Sequence, residues 1–167
     1  MKKILVSVLA ALLVLTMMIP ALAEGITMGQ VVFAAHGTKC FAVITVAMDG
    51  DKIAAAYIEE FQPMDAATAT VVPNAEAIFG ASDKLLASKR VNSDLYSANM
   101  AKAGSTVALA DNYAALEAFA AGKTIAELEA EVIGKEATAV VDAVAGCTLV
   151  DAQGYLTGII EAAKAAK

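Results

Sequence analysis

Two apolar, β-branched runs, Cys40–Met48 and Lys52–Phe61, are separated by Asp49–Gly50–Asp51. An Asp-Gly step between two such runs predicts a hairpin, because glycine takes the positive φ that the tight turn requires. Ile44, Val46 and Met48 on one side of the first run face Val43, Thr45 and Ala47 on the other. Neither side is cleanly polar, which predicts burial on both faces. Gly29–Ala35 reads as a third strand, set off by the kink His36–Gly37–Thr38–Lys39. A meander of three antiparallel strands follows.

Past Phe61 the period changes. Residues 62–84 hold Pro63, Pro73 and many small side chains, and predict loop with short helix. Leu95, Ala98 and Met100 then recur at helical spacing, with Gly104 as the stop. Asp111 is the expected cap of a helix that buries Tyr113, Leu116, Phe119 and Ala120 and stops at Gly122. Thr124 and Glu127 have the spacing of a capping box. Ala137–Val141 reads as a short run, extended or helical. From Leu149 onward, Leu156, Ile159, Ile160 and Ala163 define a final amphipathic helix, with Lys164 and Lys167 where positive charge suits the dipole. There is no repeat and no domain-scale linker. The expected class is α+β: a small antiparallel sheet, helices packed on it, and a C-terminal amphipathic helix.

The start of the chain belongs to a different class of segment. Lys2–Lys3, the apolar run Ile4–Ile19 and Ala21–Leu22–Ala23 form a secretory signal peptide over residues 1–23, with cleavage expected after Ala23. One domain, residues 24–167, remains. Without Lys2 and Lys3 it has ten basic and eighteen acidic residues, a net charge of −8. That balance argues against nucleic acid and against docking on an anionic membrane. No second run of 18 apolar residues exists, so no stable membrane insertion is expected after cleavage. The expected location is secreted, extracellular or in the cell envelope.

Export also bears on the cysteines. Cys40 and Cys147 allow one disulfide in an oxidising compartment; a small buried thiol at Cys147 is the alternative. The single histidine, His36, excludes a multi-histidine metal site, and no metal is expected. His36 and Cys40 stand four apart, with nothing to supply the third group of a His–Cys nucleophile.

Residues 142–155 read DAVAGCTLVDAQGY. Thr148 precedes the last helix and Asp151 follows three residues later, so Thr148 reads as its cap. A helix N-terminus also attracts phosphate, and Gly146 permits the close approach such a site needs. On the residues alone, both readings of Thr148 stand.

This segment resembles the C-terminal signature of flavin mononucleotide-binding domains, Asp-x-x-Ser/Thr-Gly-Ala-Thr followed by a helix. Such domains occur in the flavin-carrying subunits of sodium-pumping quinone reductases and Rnf-type complexes, and in exported bacterial proteins. Asp142, Gly146 and Thr148 occupy matching positions. The hairpin from Val43 to Gln62 resembles the start of the same domain, so the resemblance covers both ends of Gln30–Lys164. It implies flavin mononucleotide (FMN) as cofactor, either joined through its phosphate to the Thr148 hydroxyl by a separate flavin transferase or, as in other members of the family, bound without a covalent bond. It further implies that Gly146 keeps the loop open and that Asp142 fixes it. The chain departs at Ala145, where the family has Ser or Thr, and at Cys147, where it has Ala. The implied function is an exported FMN-binding electron carrier with a redox partner of unspecified identity. The competing class is an exported binding or structural module that keeps the fold without the flavin. No independent catalytic site is read from the sequence.

Lys89–Arg90 is the one adjacent basic pair of the mature chain, expected as a solvated surface pair or as a partner for an anionic ligand. Tyr57, Tyr96, Tyr113 and Phe61 are candidates to stack on a flavin ring, or core residues. Glu59 and Glu60 receive no role.

Overall fold

The computed structural model describes residues 25–37, 39–76, 83–102 and 104–167. The expected signal peptide lies outside the described residues. Four strands, β1 (Thr27–Phe33), β2 (Phe41–Asp49), β3 (Lys52–Asp65) and β4 (Lys84–Ser88), form an antiparallel sheet in chain order. Gly50, at φ 59°, makes the β2–β3 turn. Five helices follow: α1 (Ser93–Lys102), α2 (Leu109–Ala120), α3 (Ile125–Val132), α4 (Ala137–Ala143) and α5 (Ala152–Lys164). The class is α+β, with the C-terminal helix in place. No helix among the described residues is long and apolar enough to cross a membrane.

The period of two decides which residues face the helices. Ala42, Ile44, Val46 and Met48 of β2 are buried, while Val43, Thr45 and Ala47 are only partly covered. The expected two-sided burial is therefore corrected: helices cover one face, and the other is a half-solvated ladder. On that outer face Gln30 Nε2 donates to Thr45 Oγ1 at 2.9 Å, and Phe41 stacks on Phe61 across the strands. On the inner face α5 lies across β1 and β2, and α2 against β3. Glycines set how closely α5 approaches. A Cβ on Gly154 would stand 2.0 Å from Ala35 O, and one on Gly29 would stand 1.9 Å from Ala162 O.

β4 starts at the last residue of the stretch expected as loop and was not expected, and β3 runs four residues past Phe61 into that stretch. Hydrogen bonds from Lys89 N–H to Glu60 O and from Ala66 N–H to Asp83 O put the even-numbered residues of β3 into the ladder with β4. Pro63, which has no N–H to give, faces the side where β2 has already ended.

The helix boundaries separate good local signals from poor ones. Thr124 caps α3 in a full capping box with Glu127. Asp111 is not the cap of α2; it sits in the first turn, and Ala108 is the N-cap. The N–H groups of Leu109 and Ala110 are taken instead by Ser97 Oγ and Ser93 Oγ of α1, at 2.9 and 3.0 Å. Nor does Thr148 cap α5. The N-cap is Asp151, and it makes no side-chain cap bond. In α1 the inward residues are Tyr96 and Met100, both half-buried, whereas Leu95 is exposed.

Candidate functional site

β3 carries Ile58 and Glu60 on the phase that faces the helices, and both are fully buried. The β3–β4 register places Lys89 opposite Glu60, also fully buried. Their side chains pair, with Lys89 Nζ 2.8 Å from Glu60 Oε2. The same oxygen accepts from Tyr113 Oη of α2 and from Tyr155 Oη of α5, each at 2.7 Å. Two rings, one ammonium and one carboxylate thus tie both core helices to the sheet. Burial alone would push the Glu60 carboxyl up. The Lys89 ammonium and the two tyrosine hydroxyls outweigh it and hold the group below its ordinary value. Burial pulls the Lys89 ammonium down, but the Glu60 carboxylate prevails and raises it. Both therefore stay charged near neutral pH. The expectation of a solvated Lys89–Arg90 pair is overturned. Arg90 in turn bonds Ile58 O and Glu117, and its guanidinium lies over the rings of Tyr57 and Tyr113.

The cluster continues to His36. Lys89 Nζ lies 2.8 Å from His36 Nε2. An ammonium has no lone pair, so Nε2 accepts and the ring proton sits on Nδ1. That nitrogen faces Asp151 Oδ2 at 3.7 Å. Cys40 Sγ donates back to His36 O at 2.8 Å, which closes the kink between β1 and β2. Burial, reinforced by the Glu60 carboxylate, pushes the Cys40 thiol up.

His36 and Tyr155 also line a cavity of about 400 Å³, together with Tyr96, Met100, Ser105, Leu109 and the run Thr148–Asp151. Thr148 is exposed there. Its N–H is held at 2.7 Å by Oδ1 of Asn112, a fully buried residue of α2 whose amide donates to Val107 O and Ala108 O. Among the described residues its hydroxyl has only long neighbours, Ser105 Oγ and Asn112 Oδ1, each at 3.5 Å. Gly146 takes φ 84° in the turn just before it.

The signature residues are distributed unevenly. Ala145 and Gly146 are exposed on the turn. Cys147 points into the core, 8% exposed, and does not crowd Thr148. Asp142 is exposed in the last turn of α4 and makes no side-chain hydrogen bond among the described residues. Asn112, not Asp142, anchors the loop. Cys40 and Cys147 are both free thiols in the structure. Of the aromatic candidates, Tyr96 reaches the cavity, Tyr113 is core, and Tyr57 and Phe61 are on the outer face.

Sequence reasoning missed Asn112 altogether, and missed the pairing of Glu60 with Lys89. Glu60 had a usable signal: it shares the phase of Ile58, two residues away. Asn112 and Lys89 had none, since their partners lie 36 and 29 residues distant. No protein-family model, curated protein or solved structure matches this chain.

Proposed function

We propose that the chain is an exported FMN-binding electron carrier that holds its flavin in the cavity beside Thr148, joined through the Thr148 hydroxyl. The observation that carries this reading is the Thr148 loop. Its hydroxyl is exposed at the cavity, is not spent on capping α5, and is positioned through its own N–H by a buried asparagine. Gly146 leaves the approach free of a side chain on that residue.

The cavity suits such a group. Its volume lies in the range of small-molecule sites, and Tyr96, Tyr155, Met100 and Leu109 offer apolar and aromatic surface. Among the described residues that line it there is no Lys or Arg. A free phosphate monoester would need such cations, whereas an ester bond at Thr148 retains the phosphate without them. When bound, the flavin supplies one- or two-electron transfer. Thr148 anchors it, Asn112 and Ser105 orient the anchor, and His36 presents an Nδ1–H donor at the cavity wall. The leader Lys2–Lys3 with Ala21–Leu22–Ala23 supports export.

The test is co-expression with a flavin transferase. Wild type is expected to gain the mass of one FMN and visible flavin absorbance. Thr148→Asp keeps a polar residue at an exposed position but cannot form the ester; it is expected to fold and to carry no covalent flavin. Reversible flavin binding without a mass gain would remove the covalent link alone. Neither mass gain nor micromolar flavin binding would leave the binding or structural module.

A further inference from the structure

The cavity wall meets the Glu60 cluster at a set of three donors, of which the flavin reading uses only His36, and that through its other ring nitrogen. A ring nitrogen of His36, Cys40 Sγ and a Glu60 carboxylate oxygen all lie within 4.8 Å of one another, and His36 Nε2 is 4.0 Å from Glu60 Oε1. We propose that these three groups bind a divalent ion of the zinc class, with His36 Nε2, Cys40 Sγ and Glu60 Oε1 as its protein ligands.

Glu60 Oε1 is the independent pointer. Its side chain is fully buried, and Oε1 has no hydrogen-bond partner among the described residues. The three groups that bond that carboxylate, Lys89, Tyr113 and Tyr155, are gathered on Oε2, and among the described residues Oε1 has His36 and the Cys40 thiol near it. A buried carboxylate oxygen left without a partner is costly, by about 1–3 kcal/mol or more for a charged group. In a fold that satisfies Oε2 three times over, the orientation that leaves Oε1 bare needs a reason. Oε1 is the oxygen turned toward His36, 4.0 Å from Nε2.

The donor chemistry selects the ion. One imidazole, one thiol and one carboxylate are the nitrogen, sulfur and oxygen donors that zinc takes, whereas calcium and magnesium require oxygen. Tetrahedral bonds of zinc keep its donors about 3.3–3.8 Å apart. The three groups therefore need to draw in by up to about 1.5 Å, and the His36–Glu60 pair, now 4.0 Å apart, by about 0.7 Å or less. His36 and Cys40 sit on the bend that Gly37, at φ 65°, allows. Asp151 completes a familiar arrangement: a ligating histidine usually gives its other ring N–H to a carboxylate, and His36 Nδ1 faces Asp151. His36 also lines the cavity, which leaves a coordination position on the open side for water or a bound ligand.

Lys89 is the competitor. Its ammonium now occupies the lone pair of His36 Nε2. On metal binding it would withdraw from His36 and keep Glu60 Oε2 and the face of the Tyr96 ring, 4.8 Å from its Nζ. The Cys40 S–H bond breaks, its proton passes to water, and a thiolate–metal bond forms. The charges then close. The ion and Lys89 together balance the Glu60 carboxylate, the Cys40 thiolate and the half-exposed Asp151 carboxylate, so the cluster as a whole is neutral.

The test uses flavin-free protein, so its outcome is independent of the proposed carrier function. Cobalt(II), a spectroscopic substitute for zinc, is titrated into the wild type. One ion per chain is expected, with near-ultraviolet thiolate-to-cobalt absorption and intense four-coordinate visible bands, both lost when one equivalent of zinc is added. Cys40→Ser is expected to lose the thiolate band, and Asp151→Asn to keep it while weakening affinity about 10–100-fold. His36→Gln should weaken it further, by loss of a ligand. None of these three side chains belongs to the apolar core, so the variants should fold. Absence of saturable uptake at micromolar ion, or the same spectrum in wild type and Cys40→Ser, would overturn the site.

Discussion

The Glu60 cluster and the Thr148 loop share two residues, His36 and Tyr155, yet they are built on opposite terms. Glu60 and Lys89 are charged, have no exposure, and are bonded on several sides. Thr148 is neutral and exposed, and is held by its backbone alone within 3 Å. Inside the core each partner is required, because removal leaves its counterpart stranded away from water. At the loop the hydroxyl has no partner closer than 3.5 Å among the described residues. One cavity thus has a densely bonded back wall and a sparsely bonded rim.

Breaking the back wall should have the largest effect. Lys89→Met leaves the Glu60 carboxylate buried with two hydroxyls and no cation, and is expected to cost about 3–5 kcal/mol. The readout is a lower urea midpoint at unchanged slope. Adding Glu60→Gln, which keeps an acceptor for Tyr113 and Tyr155, should recover most of the loss. A single-variant cost below about 1 kcal/mol would show that the pair is not a buried ion pair. The pH dependence follows the same contacts. The folded Glu60 carboxyl is held below its ordinary 4.5. Its contribution is present in full above the unfolded value and is lost as pH falls through the lower folded one. Lys89, raised above 10.5, contributes below that value and loses its share as pH rises through the folded one. The pair should hold steady between about pH 5 and 10, and Glu60→Gln should flatten the acid limb of a stability–pH curve. Glu117 opposes this on the acid side. Burial raises its carboxyl despite Arg90, so its own contribution favours the fold as the pH drops.

A smaller effect should come from the joint between the two regions. Gly154 of α5 packs on Ala35, next to His36. Gly154→Ala drives a Cβ against Ala35 O, an atom of the backbone that cannot turn aside. The strain should cost about 1–3 kcal/mol, measured by denaturation, and should shift the histidine ring signals seen by NMR. Unchanged His36 signals would mean that helix and kink move independently.

The two regions also differ in how far they can be read from sequence. The β2–β3 hairpin is legible because Asp49–Gly50–Asp51 is a local device, and the α3 cap because Thr124 and Glu127 meet within one turn. The period of α5 is legible for the same reason. β4 is not: it has five residues, follows two prolines, and owes its pairing to the extension of β3 beyond β2. Lys89 and Arg90 look like any solvated basic pair until the β3–β4 register sets one beside Glu60. Asn112 appears as an ordinary first-turn residue of α2, although it anchors Thr148 across 36 positions. Local chemistry carries its own signal, whereas a pair made by topology carries none until the topology is known.

The smallest effect is the sharpest test of the rim. Thr124 and Thr148 were both expected as helix caps, and only Thr124 is one. Thr124→Ala removes an acceptor for Glu127 N–H and half of a reciprocal pair, so it should cost about 0.5–2 kcal/mol. Thr148→Ala removes a hydroxyl whose nearest partners are 3.5 Å away. The Asn112 bond survives, because it goes to the Thr148 N–H, which alanine retains. The cost should stay within about 0.5 kcal/mol, as for surface positions outside such features. Paired urea titrations of the two variants measure the difference directly. A loss at Thr148→Ala as large as that at Thr124→Ala would make the hydroxyl structural. A negligible loss leaves it a side chain whose removal the fold does not register, which is the condition a covalent attachment point must meet.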